Sequence, residues 1–193
     1  MSLVLASASP RRSQLLRAAG VPIAAVRPSH VPEVPAPGES PTAYARRLAA
    51  DKSRASALPG HWALAADTVV HVDGVLYEKP TDDADAARIL GALSGRWHRV
   101  TTAWCLRWGG PDARRPLQGH VTSRVRFRAL SPAEIATDVA SGEGRDKAGS
   151  YGIQEKGVML IDRVVGSFTN VVGLPMTEVM AALAAVGIHP EAP

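Results

Sequence analysis

An α/β fold is predicted by three features of the sequence. Strand-like and helix-like segments alternate along most of the chain, the pattern of a sheet flanked by helices whose ligand lies near strand ends. Ser-Pro pairs at Ser9-Pro10, Ser40-Pro41 and Ser131-Pro132 stand where helices would open, a hydroxyl N-cap followed by the proline that a first helical turn accepts. Two long alternating apolar runs, at residues 100–108 and 121–129, read as an antiparallel strand pair.

Taken in order, Val4, Leu5 and Ala6 end a short buried strand. Ser9 caps and Pro10 opens a helix whose apolar stripe is Leu15, Leu16 and Ala19. A second strand at residues 22–26 runs into residues 27–41, with prolines at 28, 32, 35, 37 and 41, a shaped surface loop whose only acids are Glu33 and Glu39. Ser40-Pro41 opens a helix through Tyr44 and Leu48 to about residue 57, and Pro59-Gly60 ends it. The apolar run 62–66, then Asp67, Val69, Val70 and Val72, reads as a central strand carrying an acid partway along. Asp73-Gly74 is a hairpin turn into residues 75–78, which Lys79-Pro80 terminates. A helix at 83–93 precedes the strand pair, which is joined by a loop at 109–119 and carries Arg124, Arg126 and Arg128 as a basic outer stripe. Ser131 and Glu134 form a capping box, and a last helix spans about 175–186.

Composition narrows the function classes. The 193 residues, 46% hydrophobic and 21% charged, suit one domain over 1–193, with two lobes at most. Lys plus Arg number 22 against 18 Asp plus Glu, a net charge of +4 with no block of like charge. That balance suits an anionic small molecule rather than nucleic acid. A single cysteine, Cys105, excludes an intramolecular disulfide and a thiolate zinc cluster and fits a reducing compartment. The longest apolar stretches fall short of a membrane span, and residues 1–20 lack a signal-peptide core. A soluble, cytoplasmic protein is expected.

The chemistry-bearing residues cluster in a few places. Arg11 and Arg12 occupy a first helical turn, where the helix dipole disfavours cations and welcomes an anion. A phosphate on that helix end accounts for them; so does a solvated basic turn. Asp67 reads either as a strand-end acid or as an acceptor of backbone N–H groups in a turn, and Thr68 beside it either orients the acid or touches a ligand. Lys52 and Lys79 are singly ordinary lysines whose value depends on convergence. Residues 146–154 read as a flexible wall over a ligand or as a plain surface loop, and 166–170 as a second such element or a turn into the last helix. P-loop, dinucleotide-binding, nucleophile-elbow and His-Glu-x-x-His motifs are absent. The six histidines are scattered, with His71 and His98 simplest as strand-face residues, so any metal is a hard Mg²⁺ or Mn²⁺ held by carboxylates and phosphates.

Seven fragments stand in order: Leu5-Ala-Ser-Ala-Ser-Pro-Arg-Arg12, Asp51-Lys52, Ala66-Asp67-Thr68, Glu78-Lys79-Pro80, Leu93-Ser94-Gly95, Asp146-Lys147-Ala-Gly-Ser-Tyr-Gly-Ile-Gln154 and Val171-Val-Gly-Leu-Pro175. Together they resemble the Maf family of nucleotide pyrophosphatases over nearly the whole chain. The resemblance implies a mixed twisted sheet flanked by helices, two lobes around a central cleft, and kinship with the inosine triphosphate pyrophosphatases. It implies hydrolysis of a nucleoside triphosphate to the monophosphate and pyrophosphate with a divalent cation, Mg²⁺ or Mn²⁺. By matched position, Ser7, Ser9, Arg12, Lys52 and Lys79 would hold the triphosphate, Glu33 and Asp67 would face metal or water, and Asp67 would be the general base. Pro32 departs from many relatives, which carry an acid before the matched Glu33. Arg11, Thr68 and Gln154 resemble the trio of the dTTP/UTP-hydrolysing subgroup, and Arg11 is assigned to reading the base. The resemblance also suggests a homodimer, a house-cleaning task and a role in arresting cell division. The rival readings are a purine pyrophosphatase of the inosine triphosphate type and a non-catalytic nucleotide-binding regulator.

Overall fold

In a computed structural model, which describes residues 2–112 and 114–191, one seven-stranded mixed sheet organises the chain. The elements run β1 (Ser2–Leu5), α1 (Pro10–Ala18), β2 (Ile23–Val26), α2 (Pro41–Ala55), β3 (His61–Val72), β4 (Val75–Tyr77), α3 (Asp83–Leu93), β5 (Trp97–Trp108), β6 (Leu117–Phe127), α4 (Pro132–Ser141), β7 (Ile161–Val165), α5 (Phe168–Val172) and α6 (Met176–Ala185). Three short 3-10 turns lie between α4 and β7.

The strand order is β2-β1-β3-β5-β6-β7, with β4 also on β3. Strands β2, β1 and β3 are parallel, and every later pairing is antiparallel. From β1 the chain passes through α1 to β2 on one side, then through α2 to β3 on the other. That reversal puts a crevice beyond the carboxyl end of β1 and alongside β3, at the kind of switch point where open α/β sheets bind ligands. Pairing sharpens it: β1 stops at Leu5 opposite Leu64, and the β4 pairing reaches back only to Val70, opposite Tyr77 at the end of β4. Between Leu64 and Val70, that edge of β3 has no strand partner among the described residues.

Two apolar clusters share one face of the sheet. Leu3, Leu5, Trp62, Leu64 and Ala66 pack under Leu16 of α1 and Val179 and Leu183 of α6. Val70, Val72, Val100 and Phe127 pack under Ile89, Leu90 and Leu93 of α3. Thr68 falls between them, as the two-residue period of a strand requires. The opposite face carries Val69, Ala103 and Cys105 beneath Tyr44, Ala45 and Leu48 of α2.

Local signals behave as their chemistry dictates. Ser40 accepts from the Ala43 N–H, and Ser131 and Glu134 form the reciprocal capping box. The Asp73-Gly74 turn has positive φ at both residues, 50° and 84°, which matches the twist of a tight hairpin. Four expectations are corrected. The Ser9 side chain makes no capping bond, although Ser9 stands at the N-cap. Asp67 lies partway along β3, as the run on through Val69, Val70 and Val72 predicts, and the strand-end reading fails because β3 continues on its antiparallel partner β5 after β1 has stopped. Arg128 lies beyond β6, where its Nε donates to the Met159 carbonyl and it pairs with Glu134, so it leaves the stripe of Arg124 and Arg126. The expected 109–119 loop is shortened by strands reaching Trp108 and beginning at Leu117, and its Ala113 lies outside the described residues. The termini of the expected 1–193 domain, residues 1, 192 and 193, also lie outside them. Among the described residues no helix is long and apolar enough to cross a membrane.

Candidate active site

The unpartnered stretch of β3 forms the floor of a cleft of about 590 Å³. Residues 6–12 line one wall and Lys52 and Tyr44 of α2 another, with Lys79 after β4 and residues 146–148 and 151–155 completing it. That volume is within the range of small-molecule sites.

The first wall presents backbone N–H groups and hydroxyls. Helix α1 begins with no side-chain cap and no acid in its first turn, so its leading N–H groups and dipole are available to a negative charge. Ser7 follows β1 directly, and its Oγ accepts both the Ser9 N–H at 3.2 Å and Arg12 Nη1 at 3.0 Å. With both lone pairs used, the Ser7 hydroxyl hydrogen is left to donate into the cleft. Arg12 also donates Nε to the Gly173 carbonyl at 2.8 Å and Nη2 to Thr68 Oγ1 at 3.1 Å. Burial lowers the Arg12 pKa, with the Asp67 charge opposing that effect, yet an arginine keeps its proton at any working pH. Arg11 points elsewhere, lying 3.5 Å from Asp146 across the cleft mouth.

The second wall is a carboxylate–lysine cluster. Asp67 is only 7% exposed, because β5 runs along its other side and α2 covers its face. The Lys52 ammonium lies 2.7 Å from Asp67 Oδ1 and 2.6 Å from Glu33 Oε1, and Lys79 is 3.8 Å from Glu33 Oε2. Burial pushes the Asp67 pKa up more strongly than Lys52 and Arg12 pull it down. For Glu33, on the exposed proline-rich loop, burial raises the pKa, but Lys52, Lys79 and Arg12 together outweigh it and hold the carboxyl low. One ammonium therefore joins two carboxylates of opposite tendency.

Residues 2–186 match the family model described as Maf-like protein. The chain belongs to the Maf-like family. The protein described as dTTP/UTP pyrophosphatase from Koribacter versatilis is 46% identical over 190 residues, 97% of this chain and 96% of that one. Proteins of the same description from Geobacter sulfurreducens and Thermus thermophilus are 45% and 46% identical, covering 96% and 97% of this chain and 96% of each relative. A solved HAM1 protein from Coxiella burnetii aligns over 66% of this chain and 73% of its own at 20% identity, with a TM-score of 0.43.

In this Maf-like chain the cleft brings together Ser7, Ser9, Arg11, Arg12, Glu33, Lys52, Asp67, Thr68, Lys79 and Gln154. Gln154 is exposed at the rim. Thr68 turns away from Asp67, onto the other sheet face, and holds Arg12. The 146–154 segment is packed rather than flexible: Lys147, Gly149, Ser150, Tyr151, Gly152 and Ile153 are buried. Tyr151 anchors it, its hydroxyl 2.8 Å from His98 Nε2 and its ring edge-on to Phe127. Gly149 has φ +75°, and a Cβ there would meet Val70 at 3.0 Å. Sequence reasoning missed Lys147, which lines the cleft with its ammonium on the Glu143 carbonyl and 2.8 Å from Asp146. It also missed Tyr44, whose hydroxyl donates to Glu78 at 3.2 Å. The Asp146-Lys147 pair was the available signal for the first; nothing local distinguishes Tyr44 from a core residue of α2.

Proposed function

We propose that the chain hydrolyses a pyrimidine nucleoside triphosphate, dTTP or UTP, between its α and β phosphorus atoms, releasing the monophosphate and pyrophosphate. The observation that supports this most directly is a buried, pKa-raised carboxylate, Asp67, sharing one cleft with an uncapped helix N-terminus that carries Arg12. Near-full-length relatives described as dTTP/UTP pyrophosphatases support the substrate class.

A triphosphate needs several cations before water can approach phosphorus. Arg12, Lys52 and Lys79 supply them, and the α1 N–H groups with Ser7 and Ser9 bind phosphate oxygens. Asp67 removes a proton from a water molecule as its oxygen bonds to the α-phosphorus and the bond to the bridging oxygen breaks, so that pyrophosphate leaves. Burial suits Asp67 to this task, since an ordinary aspartate near pKa ~3.9 is a weak base. Lys52, between Asp67 and Glu33, helps keep the Asp67 carboxylate ionised against burial while lending its charge to the phosphates.

The donor set fits a divalent cation. Glu33 and Asp67 offer hard oxygens that already converge on one positive charge, and Mg²⁺ binds through one or two carboxylates with phosphates and water completing its shell. Among the described residues there is no denser His, Cys, Asp or Glu group. Glu33 and Asp67 would hold the ion, which when bound stabilises charge on the departing pyrophosphate. Arg11 and Gln154, at the mouth near the 146–154 wall, would read the base.

The test is a panel of dTTP, UTP, GTP, 7-methyl-GTP and inosine triphosphate incubated with the purified chain and Mg²⁺ or Mn²⁺. Fastest pyrophosphate release from dTTP and UTP is expected. Preference for a purine nucleotide overturns the substrate assignment, and binding without products overturns the enzymatic reading in favour of a nucleotide-binding regulator.

A further inference from the structure

Arg12 is held at three atoms, and two of those anchors lead to one backbone carbonyl beneath the cleft. Its Nη2 donates to Thr68 Oγ1 at 3.1 Å, and Thr68 Oγ1 lies 3.0 Å from Thr102 Oγ1, its register partner on β5. The Thr102 hydroxyl donates to the Asn170 carbonyl at 2.8 Å. A carbonyl only accepts, so the single Thr102 hydrogen is spent there, and at the Thr68 contact Thr102 must accept while Thr68 donates. The Thr68 lone pairs then face Arg12. The polarity of the whole chain is fixed, from guanidinium through two hydroxyls to a carbonyl, and each bond polarises the next.

The second anchor ends at the same place. Arg12 Nε donates to the Gly173 carbonyl at 2.8 Å, and the Gly173 N–H donates to the Asn170 carbonyl at 3.0 Å. Gly173 has φ +123°, and a Cβ there would come within 3.4 Å of Thr68 Oγ1. Asn170 itself is wholly buried, with Oδ1 accepting from the Thr102 N–H and Nδ2 donating to the Val100 carbonyl and Ser123 Oγ. It pins the five-residue α5 to β5 and β6, in the polar layer between the two apolar clusters.

We infer that Thr102 and Asn170, neither of which lines the cleft, are positioning residues that hold the Arg12 guanidinium in its phosphate-binding pose. The inference rests on Arg12 binding phosphate, as proposed above. Without the Thr102 hydroxyl, the Thr68 hydrogen loses its acceptor and turns elsewhere, and Arg12 loses a fixed partner and regains rotamer freedom that binding must then remove.

Thr102→Val keeps shape and removes the hydroxyl; Thr102→Ser keeps the hydroxyl. Steady-state kinetics with dTTP on these variants, on Arg12→Gln and on Arg12→Gln/Thr102→Val are the test. Thr102→Val is expected to raise KM about fivefold, the factor one net hydrogen bond is worth, with a much smaller change in kcat. Thr102→Ser should restore KM, and the double variant should be no weaker than Arg12→Gln alone, since a residue acting through Arg12 has nothing left to act on. A wild-type KM in Thr102→Val, or losses that multiply in the double variant, overturn the inference while leaving Arg12 as a phosphate ligand. A wild-type KM in Arg12→Gln overturns the phosphate role itself, and the inference with it. If Thr102→Val does not fold, Thr68→Val cuts the same chain one link nearer the guanidinium and is read by the same cycle.

Discussion

Lys52 holds Asp67 at 2.7 Å while burial pushes the pKa of that carboxyl upward. The ionised, base-competent form of Asp67 therefore depends on its lysine. Because the Asp67 pKa is raised in the folded chain, its contribution to stability is full below the ordinary carboxylate range and is lost as pH rises through the raised value; Glu33, held low, loses its contribution as pH falls. Activity should show an acid limb above pH ~3.9. Lys52→Met, which removes both the hydrogen bond and the charge, should move that limb to higher pH. The profile of kcat/KM against pH for the two proteins checks this; an unmoved limb assigns it to another group.

Arg11 and Asp146 form an exposed ion pair of 3.5 Å, which is worth little to stability. Arg11→Trp is therefore expected to leave thermal unfolding within about 0.5 kcal/mol of the parent. The ratio of kcat/KM for dTTP to that for GTP should fall at least severalfold, with triphosphate binding largely kept. Competition assays with paired nucleotides measure the ratio, and an unchanged ratio removes Arg11 from base recognition.

Gly149 ties the late wall to the floor, with φ +75° and its N–H on the Glu78 carbonyl at 3.3 Å. An alanine there is strained by its φ and crowds Val70. Gly149→Ala should cost about 1–3 kcal/mol and raise KM, because Tyr151 and Gln154 move with the wall. Urea unfolding and dTTP kinetics test the two effects separately.

What was legible in the sequence follows from where each signal resides. Ser40, Ser131 and Glu134 act on their own helix ends, so those starts were readable, and the Val100 and Val121 runs declared their antiparallel pairing by alternation. Strand β7 is five residues with Asp162 and Arg163 in its middle, and it exists because β6 offers an edge. Helix α5 is fixed by Asn170 reaching across to β5, a contact with no local trace. The place of Asp67 partway along a strand was readable from the valines that follow it, but the cleft beside it depends on where β1 stops. The fragment holding Ser7 and Arg12 stands far in sequence from Lys52 and Asp67, and the reversal between β1 and β3 explains their meeting.

In the proposed mechanism Asp67 takes the proton of the attacking water. Asp67→Asn keeps the shape of the side chain and relieves a buried carboxylate whose charged form burial disfavours, so the variant should be no less stable than the parent. The decisive measurement is pyrophosphate and dTMP formation from dTTP by Asp67→Asn in the presence of Mg²⁺ or Mn²⁺, alongside equilibrium binding of the nucleotide. Retained binding with product formation abolished is the predicted result; pyrophosphate release at the parental rate would contradict it.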